Sequence, residues 1–362
     1  MNDSKSINMH SRRSFLKKTA VSTLVAPLTV QLTESCASES STAQDKLLNA
    51  YYFRAHMYTL VPHQVKEDLK WMADIGTNVV SVAILEQDLR AAVENVEIIT
   101  NEASKLGMDV FAVPSRWGGL LAGAPKVPSV FTIQNPQTWL LKKDGSFYKD
   151  KNVGVHSSIH YEETIDFFKD SIDKIFKLWD IKGVIWDEPK IYEKKDYSEE
   201  AKDNIEDIEN ENAHNDAFSG FFSKINKHIK ENHLGKITNL FAYANQPDHV
   251  IESMAGIEHL DYLGCDGRPW SADDVGDVEQ VGKVLLGPGE TYLDVARKNN
   301  KKGLLLIENH NMSAENNDLM DKRLPEVLAL NPEQLIYYYY PRNLDKPNEN
   351  MAVIAKHMKN YR

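Results

Sequence analysis

Ile181-Lys182-Gly183-Val184-Ile185-Trp186-Asp187-Glu188-Pro189-Lys190 is a short apolar β-run that stops at two adjacent carboxylates and a proline. The run suits a buried strand, and Pro189 has no N–H with which to continue a central ladder. Asp187 and Glu188 are therefore expected at the C-terminal mouth of whatever sheet holds the strand. A second run, Gly303 to Ile307, ends the same way in Glu308-Asn309-His310. Two strand-end acids in one sheet are what glycosidic bond cleavage needs.

Outward from this stretch, apolar β-runs alternate with helical patterns. Residues 51–57, 78–85, 108–114, 181–186, 236–242, 261–265, 303–307 and 335–339 read as strands. Helices are expected at 65–75, 89–106, 161–179, 217–231, 248–257, 292–299, near 325–330 and at 349–361, with Gly76 and Gly107 closing the first two. A Gly- and Pro-rich loop spans 116–158, and a charged insertion spans 192–211. Eight β/α units in order predict a single-domain α/β fold, a (β/α)8 TIM barrel over 49–362. A doubly wound open sheet is the competing architecture. No Gly-rich phosphate loop follows any strand and no zinc-type Cys/His spacing occurs, so neither a cofactor nor a metal is expected.

In such a barrel the strand ends and the loops after them build the active site. The first strand offers Arg54 and His56, the second Glu86, the third Arg116 and Trp117, and the fourth Asp187 and Glu188. The fifth offers Tyr243 and Asn245, the sixth Asp266, Arg268 and Trp270, the seventh Glu308 and His310, and the eighth Tyr338 and Tyr340. Trp117 and Trp270 are candidates to stack on a sugar ring, and the amides, arginines and histidines to bond its hydroxyls.

Asp187-Glu188-Pro189 resembles the Asn-Glu-Pro motif of clan A glycoside hydrolases, and Glu308 closes the strand counted as seventh. The resemblance implies a retaining (β/α)8 enzyme acting on a carbohydrate, with Glu188 as acid/base and Glu308 as nucleophile. Asp187 stands where that clan carries an amide. An ionised neighbour tends to raise a carboxyl pKa in the pair, which suits a general acid. Some retaining α-glycosidases instead use an aspartate nucleophile on strand four and an aspartate acid/base on strand six, and Asp187 and Asp266 fit that pattern. A surface glycan-binding barrel without catalysis is a third reading. A metal-dependent barrel using His56, Glu86, Asp266 and His310 is a fourth. Strand alternation discriminates among them, because neighbouring Asp187 and Glu188 cannot both face the cavity without a local distortion.

The N-terminus reads as an address. Ser11-Arg12-Arg13-Ser14-Phe15-Leu16-Lys17-Lys18 matches the twin-arginine export pattern, and the apolar stretch after it is too short to span a bilayer permanently. Residues 1–36 are thus expected to be a signal peptide engaging the Tat translocon, followed by a flexible tether over 37–48. Cys36 sits in an imperfect lipobox, leaving lipidation or simple cleavage near residue 37 open. The protein is expected to be periplasmic or anchored to the membrane by that lipid alone. Cys265 is the other of two cysteines, so no intramolecular disulfide is possible after processing. A net charge of −11 argues against nucleic acid as a partner.

Overall fold

The computed structural model describes residues 46–53, 60–123, 125–151, 153–275, 283–359 and 361. The expected signal peptide and most of the expected tether, with Arg54 and His56, lie outside the described residues. Eight parallel strands close into a barrel: β1 (Leu47–Tyr52), β2 (Val79–Ile84), β3 (Asp109–Pro114), β4 (Gly183–Asp187), β5 (Ile237–Tyr243), β6 (Tyr262–Gly267), β7 (Lys302–Ile307) and β8 (Gln334–Tyr338). Each strand pairs with the next, and β1 pairs with both β2 and β8. The helices that return the chain are α1 (Pro62–Asp74), α2 (Val93–Lys105), α3 (Glu162–Leu178), α4 (Glu211–Asn232), α5 (Asp248–Ala255), α6 (Pro288–Lys298), α7 (Ala314–Ala329) and α8 (Pro347–Met358). The fold is the expected (β/α)8 barrel, within one compact unit from Asp45 onward.

Period-two alternation divides every strand between two cores. Tyr51, Val79, Phe111, Ile185, Phe241, Leu304 and Ile336 fill the barrel interior. Their neighbours, such as Val80, Val110, Val184 and Trp186, face the helices. Trp186 donates its indole N–H to Asn226 on α4 (2.9 Å), which pins β4 to its helix. On α3, Ile165, Phe168, Ile172 and Ile175 recur at helical spacing and supply its buried stripe. Gly76 (φ 93°) and Gly107 (φ 69°) close α1 and α2 in the left-handed region, as their positions predict.

Several boundaries differ from the sequence reading, four of them at β1, α2, α4 and α7. β1 begins at Leu47, so the barrel starts inside the span read as tether. Asn49 hides the pattern because it points inward, where its side chain accepts from the Ser81 hydroxyl (2.9 Å). α2 is preceded by a separate turn of helix, Asp88–Ala91, where one helix was expected. α4 starts six residues earlier than its apolar periodicity suggests, because polar His214 and Asn215 are buried there. α7 runs sixteen residues and contains Pro325, which was expected near a helix start. That proline lies on the exposed face, where the lost backbone hydrogen bond opens toward water.

Candidate active site

Alternation also aims the mouth residues. Asp187 lies two residues beyond inward-facing Ile185 and ends β4 facing the cavity. A straight continuation would send Glu188 to the helix side. Glu188 instead adopts φ 40°, a left-handed conformation costing about 1–3 kcal/mol for a residue with a side chain. Its backbone N–H still donates to Phe241 O (3.0 Å), so the turn is anchored to β5. The distortion brings the Glu188 carboxyl back over the mouth beside Asp187. There an oxygen from each of Glu188, Asp266 and Glu308 lies within 4.8 Å of the other two.

Each acid is held in a different electrostatic state. Burial alone would raise the Glu188 carboxyl. The Lys190 charge, with hydrogen bonds to Asp266, Lys190 and Tyr243, outweighs it and holds the pKa below the ordinary range. Lys190 donates to Glu188 and also to the Tyr243 hydroxyl (2.6 Å). The raised pKa expected for a member of this pair falls on Asp187. Burial first, then the Glu188 charge, push it up to about 7, with Lys190 and Arg116 opposing. Asp266, 2% exposed, is raised well above the carboxylate range by burial and then by Glu188 and Glu308.

Among the described residues, neither Asp266 oxygen has an ordinary donor within reach. What faces it is the Glu188 carboxyl, which when ionised only accepts. One proton between the two carboxyls satisfies both, and the opposing shifts place it on Asp266. Across from this pair stands Glu308, whose pKa is raised on balance, by burial first and by the Glu188 charge, with Arg268 opposing. Arg268 Nε lies 3.6 Å from its carboxylate, and the same guanidinium donates to the carbonyls of Glu308 (2.9 Å) and His310. His310 Nε2 is 3.9 Å from Glu308. Burial, then Arg268 and Arg342, press the His310 imidazole down to about 3, so it is neutral beside the acid.

Other expected site residues have different fates. Trp117 is fully buried, donates to Ile84 O (3.0 Å), and packs its ring against Phe167 and Phe168. Trp270 is 4% exposed within the outer core. Neither ring offers a face to a sugar, so their expected stacking role is corrected to packing. Glu86 spends both oxygens on the loop after β3, accepting from the Ser129 hydroxyl and the Phe131 N–H (2.6 Å each). It anchors a loop, and this removes it from both the substrate-binding set and the metal-ligand set proposed for a metal-dependent barrel. Arg116 donates to the carbonyls of Pro125 (3.0 Å) and Gly123 (2.7 Å), and its charge acts on Asp187. Tyr243 is half-exposed at the rim, and Asn245 is exposed beyond it. Tyr338 faces His310 edge-on at 5.3 Å. Tyr340 donates to Asn348 on α8 (2.9 Å).

Two residues at the mouth went unassigned in the sequence. Lys190 stands two places after Glu188, just past Pro189, and that spacing was its available signal. Tyr51 points inward from β1, and its hydroxyl has no partner among the described residues. Burial first and then Asp187 raise its pKa, so it is a neutral donor facing the acids. The carboxylate trio has metal-ligand spacing, yet Lys190 and Arg268 already supply positive charge to two of its members.

The barrel superposes on solved glycoside hydrolases at low sequence identity. One is the catalytic domain of β-amylase from Paenibacillus polymyxa, 9% identical, with a TM-score of 0.55 over 87% of this chain and 98% of that one. A second is the endo-β-1,4-mannanase from Thermotoga petrophila, 10% identical, TM-score 0.55, covering 88% and 77%. A third is a β-galactosidase from Halorubrum lacusprofundi, 12% identical, TM-score 0.63, covering 87% of this chain and 58% of that longer one. The chain shares their barrel fold. No family model matches it, and no curated protein matches its sequence.

Proposed function

We propose that the protein is a glycoside hydrolase, exported by the twin-arginine route, that cleaves a glycosidic bond in an oligo- or polysaccharide with retention of anomeric configuration. The observation that carries this reading is the meeting of Glu188, Asp266 and Glu308 within 4.8 Å at the barrel mouth. Retaining enzymes hold their two carboxyl groups about 5–5.5 Å apart, whereas inverting ones leave about 6.5–9.5 Å for a water. One oxygen of Glu188 approaches one of Glu308 to within 4.8 Å, a close approach that suits a retaining pair better than an inverting one. The glycosidase barrels that the fold resembles agree with the reaction class.

In this reading the Glu308 carboxylate attacks the anomeric carbon. The electrons of the breaking C–O bond pass to the leaving oxygen, which takes the proton held between Asp266 and Glu188. Water then attacks the glycosyl–Glu308 ester, its proton returning to the pair, and Glu308 leaves as a carboxylate. Glu188 alone is a poor resting acid because Lys190 keeps it ionised. The buried pair with Asp266 supplies the proton that the single residue lacks. Arg268 favours the charged form of Glu308.

A second reading is favoured by the strong upward shift at Asp266: Asp266 as acid/base with Asp187 as nucleophile. Asp187, pushed to about 7, is half-protonated at neutral pH, and this arrangement leaves the ion-paired Glu308 idle. The test is turnover of a polysaccharide and aryl-glycoside panel by wild type, Glu188→Gln, Glu308→Gln and Asp187→Asn. Loss in the two glutamate variants supports the first reading. Full activity in Glu308→Gln with loss in Asp187→Asn supports the second. Glycan binding without turnover by wild type supports a non-catalytic surface receptor.

A further inference from the structure

Outside the barrel mouth, Asp173 of α3 meets two imidazoles. His228 Nε2 lies 2.7 Å and His233 Nε2 2.6 Å from the same Asp173 oxygen, and the three ligand-type atoms are within 4.8 Å of one another. Five residues apart on a continuing helix, the two histidines would point about 140° away from each other. They converge because α4 ends at Asn232 and His233 leaves helical geometry, with φ −132° and ψ 75°. Phe176, one turn beyond Asp173 on α3, packs on the His233 ring at 4.7 Å and fixes its direction. Both imidazoles are about one-fifth exposed and Asp173 nearly half, so the group is ordered yet open to solvent.

We infer that Asp173, His228 and His233 form a binding site for a divalent transition metal ion, with zinc as the best match. Two imidazole nitrogens and one carboxylate oxygen are the donor set such ions take, at metal–ligand distances of about 2.0–2.2 Å. The present hydrogen-bonded spacings need open by only about 0.6 Å to reach the roughly 3.3 Å between ligands of a tetrahedral ion. Each ring would then carry its proton on Nδ1. For His228 that nitrogen faces the Asn232 amide nitrogen at 3.2 Å, which also donates to the His228 carbonyl (2.9 Å), so metal loading requires this side chain to turn away and leave Nδ1–H to solvent. Three protein ligands leave a fourth position for water. The ion would clamp α3 to the end of α4, on the helical face and away from the glycosidase chemistry.

The test is equilibrium dialysis of the metal-stripped chain against zinc, with elemental analysis of bound metal. The expected result is one zinc per chain, an upward shift in Tm, and visible tetrahedral absorption when cobalt replaces zinc. Asp173→Asn, His228→Gln and His233→Gln should each weaken binding at least tenfold while circular dichroism stays unchanged. Glu308→Gln, which alters the other carboxylate cluster, should leave zinc binding intact. Absence of bound zinc at micromolar concentrations, or binding that survives in all three variants, would overturn the assignment.

Discussion

Glu86 and Glu188 are both strand-end glutamates on the same rim, and the barrel uses them in opposite ways. Glu86, past β2, has both oxygens satisfied by a hydroxyl and a backbone N–H of the following loop. Glu188, past β4, has ionisable partners: Lys190, Tyr243 and a carboxyl that must share its proton. The first arrangement ties a loop down. The second holds a charge and a shared proton at the barrel mouth. A strand-end acid is thus a chemical candidate by virtue of what faces it, and rim position alone does not decide.

The comparison breaks most visibly at the proton. Asp266→Asn removes the carboxyl that holds it while keeping the volume, and should lower kcat by about 10²–10⁴, the usual worth of general acid catalysis. Activity within a few-fold of wild type would remove Asp266 from the proton path. Lys190→Met sharpens the same side. Without the cation the Glu188 pKa rises, so the alkaline limb of the kcat/KM profile, where the pair loses its proton, should move to higher pH. An unmoved limb would mean that Lys190 does not set the charge on Glu188.

On the other side, Glu86→Gln should leave kcat/KM within about threefold. It should destabilise the fold by about 1–3 kcal/mol, because one loop donor is left without its acceptor. Thermal unfolding measured beside steady-state rates separates the two effects. A smaller effect concerns Asp187. Its folded pKa of about 7 stands above the ordinary 3.8, so the folded state binds the proton preferentially between those values. Stability therefore falls as pH rises through that window. Asp187→Asn should flatten this fall in a series of unfolding curves from pH 4 to pH 8.

The barrel itself was legible in the sequence because parallel strands buried on both faces write continuous apolar runs, and the helices between them write a clear 3.6-residue stripe. What misled was polarity in buried places. Asn49 inside the barrel masked the start of β1, and buried His214 and Asn215 masked the start of α4. Alternation showed only that Asp187 and Glu188 could not both face the cavity without a distortion, and left open which one does. It could not aim Glu188, whose direction depends on one left-handed backbone angle that no residue pattern encodes. Trp117 and Trp270 stood at rim positions by sequence count, yet whether an indole lines a cavity or fills a core depends on the loop that folds over it. Lys190 was in plain view in the opening stretch, and its role emerged only when Tyr243 from β5 and Asp266 from β6 came to the same point.

In the proposed reaction Glu308 is the group that bonds to the sugar. The direct measurement is mass spectrometry of peptides from enzyme quenched during turnover of a slow 2-deoxy-2-fluoro glycoside. Proteolysis should yield a peptide carrying one glycosyl unit on Glu308. A glycosyl label on Asp187 in its place would contradict the account and transfer the nucleophile to β4.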